Sequence, residues 1–524
     1  MANRLFAYFP GDGTYRDANV AMVPVVWDFW ERLADTAAEG GYEPVHLHET
    51  YPFVDSTTRA QEVGRRLIEL DPKDGDIVAP MTVHWPLPEH GGIPVRAIAP
   101  LITDGRVRAS LISNCLAKRP GLVGQAAIAL LLENMGMAHG THYSRHIVAE
   151  DETGPEHLWQ ELREFNEGRI TPPHQLQGAG SVEVTSEHLK LAQEALDYIR
   201  KSCFVVVCIN SASMTMGQGW VHKWLCDLLG VTPIFVGSNE LNALMAEAPD
   251  QQPAIKHLIG LGLYPDFSSG LTEAMLEQDM RMQWALEQLR LMHGAIAMGN
   301  QGQKDTSQYV GATDLADSIT SSPGIFRFWA QDEIPCFVST EMDFDGLVTG
   351  LLQQVLVFVK YGIWPVTDFH DVRHPVDGKL VLLNSGTQNL VNVGKSADDC
   401  EGITIQSQDT DIYFPHGGGC ISAEFRPNDV VSMHRLFTRP GAQVVMQATR
   451  PSFLPISREE RMAGAYGELD QGWPFGLTEL PIDVIAFFNW FVPNHSHTVI
   501  GYDIIAEMAA LCQILGWEHR CLGV

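Results

Sequence analysis

The sequence predicts an α/β protein: two doubly wound domains, each a parallel sheet between helices, followed by a β-rich C-terminal domain. Three observations carry this. Over the first two thirds of the chain, short apolar runs alternate with helical patterns, which is the signature of strand–helix–strand units. The stretch "NEGRITPPHQLQGAGS" (166–181) is rich in Pro, Gly and polar residues and reads as a linker. After residue 360 the apolar runs shorten and are separated by Gly, Pro, Asp and Asn, as in a β-rich unit. The expected bounds are 1–175, 176–356 and 357–524.

In order, "RLFAYF" reads as a strand and "VVWDFWERLADTAAEGG" as a helix closed by glycines. "DIVAPMTVHW" and "ASLISNC" are further buried strands, and "GQAAIALLLENMG" is a helix. The second unit opens on the β-prone "CFVVVCIN". The loop "SASMTMGQG", the helix "WVHKWLCDLLG" and the strand "TPIFVG" follow. Both units are Rossmann-like, and such sheets bind ligands at the carboxyl ends of their strands. "SASMTMGQG" is therefore either a site loop or only a connection. The Met and Leu stripe of "LTEAMLEQDMRMQWALEQLRLMHGAIAMG" reads as core packing. In the third unit "KLVLLNSG", "GITIQSQ", "DIYFPHGGG", "VVSMHRLF" and "AQVVMQA" are short strands, and the helix "DIIAEMAALCQILGW" closes the chain. There is no internal repeat and no low-complexity tract.

The 524 residues are 45% hydrophobic and 19% charged, the composition of a folded globular protein. A formal charge of −29 argues against a nucleic-acid binder, which needs a basic face for phosphates. The nine cysteines form no CxxC pair and read as reduced thiols. The start "MANRLFAYFPGDG" lacks a signal peptide's basic and apolar regions. The most membrane-like run, "LVTGLLQQVLVFV", holds two Gln and falls short of the roughly 20 apolar residues that cross a bilayer. The expectation is a soluble, cytoplasmic chain with no membrane partner.

Phosphate-loop, intact GxGxxG and GxSxG motifs are absent, so phosphoryl transfer and serine hydrolysis have nothing to stand on. Three segments concentrate chemistry. "VSTEMDFDG" sets Glu341, Asp343 and Asp345 just after an apolar run. "WPVTDFHDVRH" carries Asp368, His370, Asp371 and His374, and "NWFVPNHSHTVIG" carries Asn494, His495 and His497. Two carboxylates and an imidazole would suit Mn²⁺ or Mg²⁺. Composition alone favours solvated loop carboxylates, because 64 acidic residues place some at strand ends by chance. The histidines of "MGMAHGTHYSRH" and "VHLHE" read as loop or strand-end residues.

Several short motifs, in one order, resemble the L-fucose isomerase family, which is related to L-arabinose isomerase. They are "SASMTMGQGWVHKWLCDLLGVTPI", "GNQGQKDTSQY", "VSTEMDFDG", "LVLLNSGT", "YFPHGGGCISAEF" and "NWFVPNHSHTVIGYDIIAEMAAL". The resemblance is clearer from Ser211 onward than in the N-terminal third. It implies a divalent-metal-dependent aldose–ketose isomerase that acts on a free aldose such as L-fucose or D-arabinose through a cis-enediol. The implied ion is Mn²⁺, with Mg²⁺ or Co²⁺ as alternatives, held by Glu341, Asp368 and His495. Glu341 and Asp368 are also the implied acid/base pair. Asp371 is the alternate second carboxylate: Asp368 closes the run "WPVT", while Asp371 is followed by Val372 and Arg373 as in the family. Asp343 and Asp345 are expected to support these ligands or to cap the helix that follows. Implied sugar contacts are Arg16, Trp85, Gln301, Gln303, Ser385 and Asn494. The implied assembly is a homo-trimer or homo-hexamer in which a neighbouring N-terminal domain covers the site. Cys420 stands where the family commonly has Tyr, which points to another aldose, or to an epimerase or lyase acting on a modified sugar. A non-catalytic sugar-binding protein is the third reading.

Overall fold

A computed structural model describes residues 2–48, 51–84, 86–114, 121–148, 155–168, 179–210, 220–329, 334–376, 378–384, 387–393, 400, 402–408, 414–423, 431–456, 473, 475–482, 487–488 and 496–523. It is a mixed α/β structure with two parallel sheets flanked by helices and two further sheets.

The first sheet holds β1 (Asn3–Pro10), β2 (Tyr42–His46), β3 (Phe53–Val54), β4 (Ile77–Thr82), β5 (Arg108–Asn114) and β6 (Tyr143–Val148), in the order β2-β1-β4-β5-β6 with β3 also on β1. All its pairings are parallel. The central strands β1 and β4 are near-continuous apolar runs because both faces are covered. Leu5, Ala7 and Phe9 join the core beneath α1 (Arg16–Glu39) and α6 (Pro155–Asn166), whereas Phe6 and Tyr8 join the core beneath α2 (Thr57–Glu69), α3 (Pro88–Ala97), α4 (Ala99–Thr103) and α5 (Gly121–Asn134).

The second parallel sheet holds β8 (Val205–Ile209), β9 (Thr232–Val236), β11 (Ala295–Asn300) and β12 (Phe337–Thr340), in the order β12-β11-β8-β9. Before it come β7 (Ala179–Gly180) and α7 (Ser186–Ser202); within it lie α8 (Lys223–Leu229), α9 (Ser238–Glu247), α10 (Gln252–Gly260), β10 (Tyr264–Pro265), α11 (Glu273–His293), α12 (Ser307–Tyr309) and α13 (Asp314–Ser321). Val207, Ile209, Met298 and Val338 pack towards α9, α11 and α13. Val206, Cys208, Ala297 and Phe337 pack the other way, towards α7 and α14 (Phe344–Tyr361).

The rest of the chain is β-rich: β13 (Thr367–Val376), β14 (Lys379–Leu383), β15 (Thr404–Ser407), β16 (Gly419–Ser422), β17 (Ser432–Arg439), β18 (Gln443–Thr449), β19 (Ser452–Leu454), β20 (Phe475–Glu479), β21 (Ser496–Ile500), α15 (Ile505–Leu515) and β22 (Glu518–Leu522). Nine strands form one sheet in the order β19-β20-β14-β13-β21-β17-β18-β22-β7, and β10-β15-β16 form a smaller one. Two short strands cross the bounds expected from sequence: β7 pairs with β22 and β10 with β15. The segment "DIYFPHGGG" was expected as a strand. Its described part, 414–418, is a turn, and the strand starts at Gly419, because Gly417 and Gly418 take positive φ values of 67° and 131°.

Helix α14 lies between the second sheet and the nine-stranded sheet. Its Phe344, Leu351 and Leu356 share one core with Phe337 on one side and Leu436, Met446 and Ile500 on the other. A helix covered all round must be apolar all round, which explains "LVTGLLQQVLVFV". Its two glutamines have interior partners: the Gln353 amide reaches His434 Nδ1 (2.9 Å) and the Thr498 carbonyl (3.3 Å), and Gln354 donates to the Pro365 carbonyl (3.1 Å). No described helix is long and apolar enough to cross a membrane. The N-terminal unit is tied to the nine-stranded sheet by Leu130 against Phe437 and Val445 and by the Arg439–Glu133 ion pair (2.8 Å).

Candidate functional site

The carboxyl end of β12 gathers three buried carboxylates, Glu341, Asp343 and Asp345. Glu341 and Met342 both take left-handed backbone conformations, at φ 62° and 53°. Such a residue costs about 1–3 kcal/mol unless it is Gly. The turn is held from beneath: Met342 N–H donates to the Asn300 carbonyl (3.2 Å). A Cβ at Gly299 would meet Met342 Sδ at 2.4 Å, so Gly at 299 lets the methionine lie against β11 without shifting. The result leaves the Glu341 side chain buried, at 8% exposure.

Asp343 caps α14, accepting from Gly346 N–H (3.0 Å). It is also held by two donors of the fully buried Arg435, at 2.5 and 2.9 Å. Asp345 is 1% exposed. Burial pushes its carboxyl up to about 8, against the pull of Arg435 and with a further push from Asp343. Its Oδ1 has no hydrogen-bond partner among the described residues.

Asp368 approaches from β13, which touches β12. It does not end the strand "WPVT", as expected. The strand begins at Thr367 and Asp368 is its second residue, because Pro365 has no N–H with which to enter a ladder. Asp368 is buried, and burial pushes its carboxyl up to about 7 although Asn392, Asn389 and Gln388 hydrogen-bond to it. Asn389 N–H donates to Oδ1 (3.2 Å) and Asn392 Nδ2 to Oδ2. Asp371 lies mid-strand, opposite Leu383 and Ser496; its side chain lies outside the described residues.

Three further carboxylates are buried in the same unit. Asp314, at the start of α13, accepts from Thr387 Oγ1 (3.0 Å) and Gln408 Nε2 (2.7 Å), and Gln408 in turn accepts from Trp473 Nε1 (2.6 Å). Burial raises Asp314 to about 7, with a contribution from the Glu341 charge. Asp317 is raised to about 8, chiefly by burial, and accepts from Asn300 Nδ2 (2.9 Å) and Thr313 Oγ1 (3.0 Å). Asp279 is raised well above the carboxylate range by burial and accepts from Gly419 N–H (2.7 Å). Sequence reasoning missed all three. "DLADS" reads as an ordinary acidic first turn, and Asp279 hides inside a Met and Leu stripe.

Gln301 follows β11 directly. Its N–H donates to the Ile209 carbonyl (3.2 Å), and its buried Oε1 has no partner among the described residues. It opens a π-helical turn, Gly302–Thr306, a distortion frequent at functional sites. Arg16 is exposed at the start of α1. The loop "SASMTMGQG" and the side chain of Gln303 lie outside the described residues, as do Trp85, Ser385, Asn494 and His495. In the N-terminal unit Ser144 Oγ, His146 and Glu161 line up at 2.7 Å per step. Ser144 is buried within the sheet, so this line cannot meet an acyl substrate.

Among the described residues no group of three His, Cys, Asp or Glu side chains is placed to hold a metal ion; His495 is not among them. The donor chemistry fits a divalent ion. Buried carboxylates outnumber cations here, Arg435 is already paired with Asp343, and each Asp368 oxygen that accepts one hydrogen bond keeps a further lone pair. Oxygen donors with one imidazole suit Mn²⁺ or Mg²⁺. No protein-family model matches the chain, and no curated protein matches it.

Proposed function

We propose that this chain is a divalent-metal-dependent aldose–ketose isomerase acting on a free aldose. The observation that carries the reading is Glu341, a buried carboxylate in a left-handed turn at the carboxyl end of a parallel strand, beside a strand that carries the buried Asp368. Glu341, Asp368 and His495 would hold the ion, with Mn²⁺ the best match. When bound, the ion supplies Lewis-acid polarisation of the sugar carbonyl.

The chain's own residues move the protons. One carboxylate of the Glu341/Asp368 pair takes the C2 proton and returns it to C1 through a cis-enediol. The other passes the hydroxyl proton from O2 to O1 on the opposite face, so that no proton is lost or gained. Asp368 is buried and held by Asn389 N–H and Asn392 Nδ2, which fix where its carboxyl group points. The buried Gln301 amide offers a sugar hydroxyl an acceptor. The proposed working unit is a homo-oligomer, with Arg16 and Trp85 of the N-terminal unit reaching a neighbour's sugar.

The test is to strip metal, add Mn²⁺, and measure ketose formation from fucose, arabinose, ribose and rhamnose isomers, with Glu341→Gln as the control. Mn²⁺-dependent ketose that disappears in the variant supports the reading and names the sugar class. Tight Mn²⁺ binding with no ketose favours an epimerase or lyase on a modified sugar. Cys420 favours that second reading: a small buried thiol fills the position where the resembled family has Tyr. Sugar binding that is indifferent to both Mn²⁺ and Glu341→Gln leaves a non-catalytic binding protein.

A further inference from the structure

Helix α13 and Ser322 beyond it present Asp314, Ser318, Ser321 and Ser322 at spacings of four, seven and eight residues, which share one helix face. Residues 387–392 run along that face with no ladder of their own. Thr387 Oγ1 donates to Asp314 Oδ1 (3.0 Å), Gln388 N–H to Ser318 Oγ (2.8 Å), Asn389 Nδ2 to the Ser321 carbonyl (2.5 Å) and Leu390 N–H to Ser322 Oγ (3.0 Å). Val391 N–H closes on Asn389 Oδ1 (2.9 Å). A buried irregular segment must find partners for its amides, and here helix side chains provide them. The same segment turns two donors outward to Asp368: Asn389 N–H on Oδ1 (3.2 Å) and Asn392 Nδ2 on Oδ2.

We propose that the polar face of α13 is a template that fixes residues 387–392, and that Asn389 and Asn392 are the positioning residues that set the Asp368 carboxylate. Asp368 sits on β13 of the nine-stranded sheet, while Asp314, whose carboxyl feels the Glu341 charge, belongs to the second parallel sheet's unit. The template is therefore the polar link that registers one carboxylate against the other. A fixed carboxylate presents its remaining lone pairs in one direction, which is what an ion or an acid/base step requires of it. The catalytic meaning of this link rests on the isomerase reading; the link itself does not.

The test uses the full chain and hydrogen exchange resolved to single amides, with far-UV circular dichroism to confirm folding. Ser318→Ala is expected to speed exchange at Gln388, and Ser322→Ala at Leu390, each about tenfold through local opening. Asn392→Ala is expected to leave those two amides protected and to speed exchange at Asn389 about tenfold, because Asp368 loses its second anchor. A Mn²⁺ titration of the same proteins is expected to show about tenfold weaker binding in Asn392→Ala. Wild-type exchange at Gln388 and Leu390 in the serine variants overturns the template. Wild-type exchange at Asn389 in Asn392→Ala overturns the positioning role, and so does wild-type Mn²⁺ affinity in that variant. If the wild-type chain binds no Mn²⁺ while the amide changes occur, the isomerase reading falls and the structural inference stands.

Discussion

The two parallel sheets are built alike and differ at their edges. In the first, the buried Asp76 at the amino end of β4 is fully answered: it accepts from Arg4 N–H (2.8 Å), Nε (3.2 Å) and Nη2 (2.7 Å) and from Lys73 N–H (2.8 Å). In the second, the buried carboxylates collect at the carboxyl ends, and Asp314, Asp317 and Asp345 rise to about 7 or 8 because burial outweighs their donors. Backbone strain divides the same way. Asn210, Glu341 and Met342 are left-handed at the carboxyl ends of β8 and β12. Among the described residues of the first unit only Asp71, just past α2, is left-handed without being Gly. At Asp76 the buried charge of the first sheet serves stability. The second keeps strained backbone and under-compensated charge together, which proteins tolerate mainly where they act.

Five measurements sharpen or break that contrast. The largest effect is expected from Glu341→Gln, which should lower Mn²⁺-dependent ketose formation by about 10³-fold, the scale of a lost acid/base group. A change under tenfold would place Glu341 among structural residues. Asp343→Ala comes next, because it strands the buried Arg435: urea unfolding should show a loss of about 3–5 kcal/mol. Asp76→Ala should cost less, about 2 kcal/mol, since Arg4 is partly exposed and can rehydrate. Its specific activity should stay that of the wild type, and a drop in activity would contradict the stability role of Asp76.

Smaller still is the backbone effect at 341. Glu341→Gly should be more stable than Glu341→Ala by about 1 kcal/mol, because a Cβ is costly at positive φ. Equal midpoints would remove the strain argument. The last effect is in pH. Asp345 and Asp317, both near 8 in the folded chain, keep protons there that the unfolded chain has released above about pH 4. Their favourable contribution is complete below the unfolded carboxylate pKa and is lost as pH rises towards 8. Metal-stripped protein should therefore unfold at lower urea at pH 8 than at pH 5, and Asp345→Asn should flatten the slope. A slope unchanged in the variant would mean that Asp345 is ionised throughout.

The sequence by itself determined the alternation of strands and helices, since burial period, glycine stops and caps are written within a few residues of each other. The capping role of Asp343 was legible in this way, one turn ahead of an apolar helix. So was the prominence of Glu341, because acids directly after an apolar run are conspicuous. The tertiary structure alone decided which acids are buried. Arg435 meets Asp343 across 92 residues, Thr387 meets Asp314 across 73, and Asn392 meets Asp368 across 24. Desolvation depends on what packs from other segments, and nothing in "DLADSITS" announces that it will be covered on every side. Local pattern fixes what an element is; only packing fixes how little water its side chains keep, and that decides their charge and their chemistry.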